Sequence, residues 1–206
     1  MNIAIVGAGR VGCALAGGWR KAGHKVMLAV RDPAGAKAAE LRAEGYEVAA
    51  ASQAAAAADV VVLAVPWPAL ADTVKSLGAL AGKILVDATN PLNPDMTLAI
   101  GHDDSAGETV ARLAPGARVV KAFNTTGANN MADTRYGPAR LMMLVAGDDG
   151  QAKGSVMKLA DDLGFEAVDA GPLAMSRHLE PLAMVWIKLA TAQQMGRDFG
   201  FALLRR

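Results

Sequence analysis

Short apolar runs alternate along the chain with longer, alanine-rich amphipathic stretches. Apolar runs of about four to eight residues are typical of buried strands, and the amphipathic stretches between them are typical of helices. The pattern predicts strands near Asn2–Val6, Lys25–Val30, Glu47–Ala49, Val60–Val65, Lys83–Val86, Arg118–Phe123, Leu141–Val145 and Glu166–Asp169. It predicts helices near Val11–Ala22, Pro33–Glu44, Ala54–Ala58, Leu70–Leu77, Gly107–Leu113, Gly150–Leu163 and Leu182–Leu204. This alternation indicates an α/β fold with a mainly parallel sheet that is wound on both faces.

The second half of the chain continues this pattern with fewer elements. Residues 1–124 contain six predicted strands, after which a plain doubly wound unit could stop. Residues 125–206 add two strands and a long terminal helix, which is too little chain for a separate all-helical domain. We therefore expect one domain over residues 1–206, with a core in 1–124 and a β/α extension of the same sheet in 125–206.

A glycine-rich turn follows the first predicted strand. Gly7, Ala8, Gly9, Arg10, Val11 and Gly12 match the pattern G-x-G-x-x-G. After a strand and at the start of a helix, this pattern is typical of Rossmann-type NAD(P)-binding folds. Its first glycine permits the tight turn, its second lets a pyrophosphate approach the backbone, and its third lets helix and strand pack closely. The helix N-terminus adds unpaired N–H groups that attract phosphate.

The end of the second predicted strand indicates which dinucleotide binds. An NAD-dependent protein usually has an acidic residue about 20 residues after the glycine motif, bonded to the ribose 2′-hydroxyl. Here Val30 occupies the expected position and Arg31 follows it. Because arginine pairs bidentately with phosphate, Arg31 favours the 2′-phosphate of NADP(H). We expect Asp32 and Pro33 to be the N-cap and first residue of the next helix.

Three further strand ends carry residues that suit a ring-binding site. Val65, Pro66 and Trp67 form a stiff segment that could wall a flat ring. Asn90 and Asn124 follow the next two strands and offer amides to a carboxamide or a ring carbonyl. In a parallel sheet these ends meet at one edge, where ligands bind. Ordinary turn chemistry explains any one of these loops equally well.

Composition and charge exclude several other classes of function. The 21 Lys+Arg nearly balance the 20 Asp+Glu, so we expect neither a nucleic-acid partner nor binding to a membrane surface. A single cysteine, Cys13, excludes an internal disulfide, and the three histidines have no metal-ligand spacing. The amino terminus lacks the basic region of a signal peptide, and prolines and Asp59 interrupt the longest weakly charged stretch. We expect a cytoplasmic protein without a metal or a membrane span.

No catalytic acid or base is evident. Neither Tyr46 nor Tyr136 is followed four residues later by lysine, and no G-x-S-x-G motif is present. Hydride transfer to a conjugated ring is compatible with such a site, because it depends mainly on holding two carbons about 3–3.5 Å apart. The catalytic residues therefore remain unidentified at this stage.

Several segments resemble NADPH-dependent coenzyme F420 reductases, and the similarity covers nearly the whole chain. These segments are Val65-Pro66-Trp67, Val145–Asp149, and Asp169–Leu173 together with Ser176, Arg177 and Glu180. The segment Lys121–Thr125 is similar to the oxidoreductase domain of the six-transmembrane metalloreductases. The resemblance implies hydride transfer between NADP(H) and a flavin or deazaflavin ring, with coenzyme F420, FMN or FAD as the co-substrate. Two alternatives stay open: a non-catalytic NADPH sensor, or a reductase of imines or hydroxyacids.

The terminal helix is expected to be covered on more than one side. Leu182–Ile187 contains only apolar residues, so a monomer would expose an apolar patch. We therefore predict a homodimer, with Trp186 near an interface or a ring-binding pocket. A purely structural explanation of the terminal motif predicts that Arg177 and Glu180, three residues apart, form an ion pair along the helix.

Overall fold

The computed structural model describes residues 1–206 and contains ten strands and eight α-helices. The strands are β1 (Asn2–Val6), β2 (Lys25–Ala29), β3 (Glu47–Ala49), β4 (Val60–Leu63), β5 (Ile84–Asp87), β6 (Arg118–Lys121), β7 (Arg135–Tyr136), β8 (Ala139–Arg140), β9 (Met142–Gly147) and β10 (Glu166–Gly171). The helices are α1 (Arg10–Lys21), α2 (Ala36–Ala43), α3 (Ala51–Ala57), α4 (Leu70–Ser76), α5 (Ala106–Leu113), α6 (Ala128–Ala132), α7 (Gly150–Asp162) and α8 (Ser176–Thr191).

Eight of the strands form one twisted sheet in the order β10-β9-β6-β5-β4-β1-β2-β3. β1 to β6 pair in parallel, whereas β9 runs antiparallel to β6 and parallel to β10. Strands β7 and β8 form a separate two-stranded hairpin. The predicted mainly parallel α/β sheet is confirmed, and the two strands predicted after residue 124 correspond to β9 and β10 of that same sheet.

The hydrophobic core has one layer on each face of the sheet, because side chains alternate along each strand. Ile3 and Ile5 point into a cluster of 25 buried residues that includes Trp19 of α1 and Leu159 of α7. Ala4 and Val6 of β1 belong to a second cluster of 17 buried residues, which packs against α3, α4 and α5 on the other face of the sheet. No helix combines the length and apolar character that crossing a membrane requires.

The predicted boundaries of two helices are wrong. The helix expected at Leu182–Leu204 begins at Ser176 and ends at Thr191. It continues through Pro181, which is exposed, and Gly196 adopts a positive φ of 75° in the irregular tail beyond it. In that tail Phe199 stacks on Trp186 with ring centroids 5.3 Å apart, a long-range contact that helical periodicity does not reveal.

The helix expected from Pro33 begins three residues later, at Ala36, with Gly35 as its N-cap. The Asp32 carboxylate instead accepts a hydrogen bond from the Ala34 N–H at 3.0 Å, which forms a local turn. Such Asx turns compete with helix capping, since the same oxygen serves either arrangement. Asp32 and Pro33 are therefore not the first residues of α2.

A buried ion cluster joins α8 to the sheet. Lys121 at the end of β6 is fully buried, and its Nζ lies 2.8 Å from Oδ2 of Asp87 and 2.8 Å from Oε1 of Glu180. Its third hydrogen bond goes to the Thr89 carbonyl at 2.8 Å. The predicted Arg177–Glu180 ion pair is wrong, because Arg177 bonds Glu108 of α5 and Glu180 turns inward to Lys121.

The N-terminus of α5 compensates the second carboxylate of this cluster. Glu180 accepts hydrogen bonds from the Ala106 N–H at 3.0 Å and the Gly107 N–H at 3.2 Å. Unpaired N–H groups at a helix start carry partial positive charge, so they stabilise an anion there. Burial raises the pKa of the Glu180 carboxyl above its ordinary value, while the Lys121 ammonium and the Ala106 N–H oppose that rise.

Replacing Lys121 by methionine should lower the free energy of unfolding by about 3–5 kcal/mol, because two buried carboxylates would lose their cation. Denaturant unfolding measures this change. Lys158→Met is a matched control: Lys158 is exposed and pairs with Asp162 at the surface, so its loss should change stability by less than about 0.5 kcal/mol. Equal stability of the two variants would contradict a central role for the cluster.

Candidate functional site

A cleft of about 810 Å³ opens at the carboxyl ends of β1, β2 and β4. Ligands of open parallel sheets bind at this edge. The predicted site residues in its wall are Gly7, Ala8, Arg31, Val65 and Pro66. The other lining residues come from the ends of β1 and β2, the start of α2, and α3 and α4: they are Val6, Ala29, Val30, Asp32, Gly35, Ala36, Lys37, Ala51, Ala69, Asp72, Thr73 and Ser76.

The three glycines of the turn are required for different reasons. A Cβ on Gly7, which has a φ of 110°, would lie 2.4 Å from the Ala64 carbonyl oxygen. A Cβ on Gly12 would lie 1.9 Å from the Gly7 carbonyl oxygen. A Cβ on Gly9 would meet no protein atom within 4 Å, and its φ of −84° is available to any residue. The fold itself therefore requires glycine at positions 7 and 12 but not at position 9.

The start of α1 is open to an anion. Gly9 is its N-cap and supplies no side-chain hydrogen bond, so the N–H groups of Arg10, Val11 and Gly12 begin the helix without a side-chain cap. The first turn also contains no acidic residue. An uncapped helix start of this kind binds phosphate through its N–H groups and its dipole.

Two cations stand on the wall of the cleft next to β2. Arg31 is exposed and forms no hydrogen bond or ion pair within the protein. Lys37, in the first turn of α2, is also exposed and pairs with Glu40 at 3.2 Å. Arg31 was predicted from the sequence but Lys37 was not, because a helix that starts at Pro33 has residue 37 in its second turn. A helix that starts after Gly35 brings Lys37 to the cleft.

The segment after β4 divides between the cleft and the core. Val65 and Pro66 line the cleft, whereas Trp67 begins a short 3-10 helix (Trp67–Ala69). The Trp67 ring is half-buried and packs against the core cluster beneath α3, α4 and α5. It therefore supports the wall of the cleft from behind.

Asn90 and Asn124 meet at the ends of β5 and β6. Nδ2 of Asn90 donates to the Asn124 carbonyl at 2.9 Å, and Nδ2 of Asn124 donates to Oδ1 of Asn90 at 3.1 Å. Nδ2 of Asn124 also donates to the Leu179 carbonyl of α8 at 3.2 Å. Asn124 is buried and its Oδ1 has no hydrogen-bond partner, while Asn90 is half-buried. The structure thus brings the two predicted amides together.

Backbone strain lies directly beside this amide pair. Phe123 has a φ of 61°, which is uncommon for a bulky side chain and costs free energy unless its surroundings impose it. Its buried ring packs edge-on against Trp19 with centroids 5.4 Å apart. This ring contact fixes the bend at Phe123, one residue before Asn124. Sequence reasoning had no signal for this conformation.

Comparison with known proteins agrees with this geometry. A family model described as NADP oxidoreductase, coenzyme F420-dependent, matches residues 2–91. The F420-dependent NADP reductase of Methanothermobacter thermautotrophicus is 33% identical over an alignment of 207 positions that covers 92% of this chain and 89% of that protein. A crystal structure from Arthrobacter sp. FB24, assigned as an F420-dependent NADP reductase, is 35% identical, covers 100% of both chains and has a TM-score of 0.90.

Two other similarities cover only part of longer proteins. Metalloreductase STEAP3 of Rattus norvegicus is 31% identical over 184 residues, and the chain spans only 36% of its length. An imine reductase from Aspergillus terreus has a TM-score of 0.68 at 24% identity and shares the fold alone, with 63% of that chain covered. On the full-length matches, the chain belongs to the family of F420-dependent NADP reductases and is an NADP-dependent oxidoreductase.

Proposed function

We propose that the protein transfers a hydride between NADPH and a flavin or deazaflavin ring such as that of coenzyme F420. The observation that carries the proposal is the open space at Gly9, above the uncapped start of α1. Since the fold does not require glycine there, the missing side chain leaves room for a pyrophosphate at the helix N-terminus.

Residues in the wall of the cleft and in the adjoining start of α1 suit the rest of the cofactor. Gly7, Gly9 and Gly12 shape the phosphate loop, with the N–H groups of its other residues, Ala8, Arg10 and Val11, at hand for the phosphates. Arg31 and Lys37 offer two cations to the 2′-phosphate. Val65 and Pro66 form the opposite wall, supported by Trp67. An arginine without a partner in the protein is free to form the bidentate pair that phosphate favours.

The amide pair suits the nicotinamide end. We infer that half-buried Asn90 contacts the nicotinamide side and that buried Asn124 holds the Asn90 amide in place. Bound NADPH supplies the hydride, and the chain contributes a rigid edge that holds the two reacting carbons about 3–3.5 Å apart. This role needs no strong acid or base at the amide pair.

Gly9→Val should abolish NADPH binding without unfolding the protein, because the new side chain enters the phosphate space and its Cβ meets no protein atom within 4 Å. Fluorescence titration of NADPH and thermal unfolding measure the two effects. The matched control is Gly154→Val in the exposed part of α7, where a Cβ also meets nothing within 4 Å. This control should bind NADPH normally. Tight binding by a folded Gly9→Val variant would overturn the proposed cofactor site.

Wild type and Gly9→Val also test which ring accepts the hydride. NADPH oxidation by each protein is followed in the presence of coenzyme F420, FMN, FAD or riboflavin. Turnover of a ring by wild type alone supports the proposal and excludes a non-catalytic sensor. Tight NADPH binding with no turnover of any ring contradicts the proposed reaction and favours the sensor.

Arg31→Ala should weaken the binding of NADPH much more than the binding of NADH, because only NADPH carries the 2′-phosphate. Loss of a charge-assisted contact costs about 1.5–3 kcal/mol, or roughly tenfold to a hundredfold in affinity. Titration of both cofactors checks this, with Lys21→Ala at the far end of α1 as the control. Equal losses for NADH and NADPH would exclude the phosphate role of Arg31.

We further infer that the protein is a homodimer paired through α8. Ala183 and Trp186 are buried, but Val185 is 50% exposed and Pro181 is exposed beside it. Closed two-fold pairing is the commonest way to cover such a helix face. Light scattering of the wild type at micromolar concentration should give a mass near twice 21.2 kDa. A monomer would refute this arrangement.

A further inference from the structure

Asn130, in α6, is the centre of a hydrogen-bond network in which every donor and acceptor of its side chain is paired. It is 1% exposed. Its Nδ2 donates to Oγ1 of Thr126 at 2.8 Å and to the Phe199 carbonyl at 2.6 Å. Its Oδ1 accepts from the Tyr136 hydroxyl at 2.7 Å and from Nδ2 of Asn129 at 2.9 Å. Two donors and two acceptors are the full capacity of an amide, so every position is occupied.

The orientation of this amide follows from its partners. The Phe199 carbonyl only accepts hydrogen bonds, and it also accepts one from Nε1 of Trp186 at 3.0 Å. The nitrogen of Asn130 must therefore face Phe199, and the same nitrogen must face Thr126. Rotating the amide by half a turn would place Oδ1 of Asn130 against the Phe199 carbonyl oxygen, one acceptor against another, and lose that bond.

This orientation determines the role of the Thr126 hydroxyl. Because Nδ2 of Asn130 can only donate, Oγ1 of Thr126 is the acceptor in their bond. A hydroxyl also has one proton to donate, and the Thr126 hydroxyl donates to no group of the protein. Thr126 is half-buried and lies five residues beyond β6, at the edge of the sheet that carries Asn90 and Asn124. An oriented donor is thus left over at the proposed nicotinamide edge.

The neighbouring residues keep Thr126 in place. Gly127 packs so closely on α8 that a Cβ would lie 2.5 Å from the Trp186 ring. On the other side, Asn124 is bonded to the Leu179 carbonyl. The Thr126 hydroxyl is therefore held between two fixed points, which makes it suited to selecting a ligand atom by position.

We propose that the Thr126 hydroxyl is a specificity-determining donor to a carbonyl oxygen at the hydride-transfer edge. That oxygen belongs either to the nicotinamide carboxamide or to the acceptor ring. The inference rests on the proposed function, since it places the nicotinamide beside Asn90. It adds a ligand contact that neither the glycine loop nor the amide pair supplies.

Thr126→Val tests the donor, and Thr126→Ser restores it. Loss of one neutral hydrogen bond should weaken binding about 2- to 10-fold. A raised Kd for NADPH alone identifies the carboxamide as the partner. An unchanged Kd with a raised KM for coenzyme F420 or FMN identifies the acceptor ring. Thr126→Ser should behave like the wild type, and the neighbouring Thr125→Val serves as the control, with no change in either constant.

Asn130→Asp tests the orientation argument. Aspartate cannot donate, so the Thr126 hydroxyl should turn toward the carboxylate and be lost to the ligand. This variant should reproduce the loss seen in Thr126→Val, and the double variant should lose nothing more. Asn129→Ala controls for loosening of the tail, because Asn129 bonds Arg197 and Asp198 there. The variant also removes one donor from Oδ1 of Asn130, but the Asn130 nitrogen keeps its bonds to Thr126 and to the Phe199 carbonyl. Asn129→Ala should leave both constants unchanged.

Three results would overturn the proposal: unchanged constants in Thr126→Val, a Thr126→Ser variant as impaired as Thr126→Val, or an Asn129→Ala variant with the same loss. If the wild type reduces no ring, the NADPH titration alone decides, and an unchanged Kd overturns the proposal. Failure of the proposed function is distinct, since it is seen in the wild type itself, which then binds no NADPH or reduces no ring.

Discussion

The buried charge of Lys121 is the constraint on which the arrangement at the carboxyl ends of β5 and β6 depends. A buried ammonium is stable only if acceptors surround it, and here Asp87, Glu180 and the Thr89 carbonyl use all three of its protons. The two carboxylates leave an excess of negative charge, which the start of α5 and the Thr89 N–H and hydroxyl offset. The ends of β5 and β6, the start of α5 and α8 are therefore held in one mutual position.

This dependence explains which parts of the molecule could be predicted from the sequence. The strands and the glycine motif can be recognised from residues that are close together in the chain. Ile3 and Ile5 alternate with Ala4, and the motif occupies consecutive positions from Gly7 to Gly12. The Lys121–Glu180 contact joins residues far apart, and a buried ion pair has no local pattern. Arg177 and Glu180 illustrate the difference, because helical spacing favours their pairing but tertiary contacts with Glu108 and Lys121 are stronger.

Local signals failed elsewhere for a related reason. Asp32 followed by Pro33 is a good helix start, yet in the structure the same carboxylate accepts from the Ala34 N–H and forms a turn. Local sequence does not distinguish the two arrangements, because one side-chain oxygen serves both. The later start of α2 also changes the candidate site. Arg31 was predicted at the cleft, whereas Lys37 lines it only because the helix begins at Ala36.

The C-terminal extension fixes the conformation of an irregular segment between β6 and α6. Residues 122–127 between β6 and α6 contain no helix or strand, and Phe123 is held in a left-handed conformation. The later chain contacts the stretch from β6 to α6 step by step: Glu180 meets Lys121, the Leu179 carbonyl meets Asn124, Trp186 meets Gly127, and Phe199 meets Asn130. A segment without regular structure can hold ligand-binding groups in fixed positions only through such external contacts. The helix and tail after residue 175 therefore act on the proposed nicotinamide edge through the chain that they pack against.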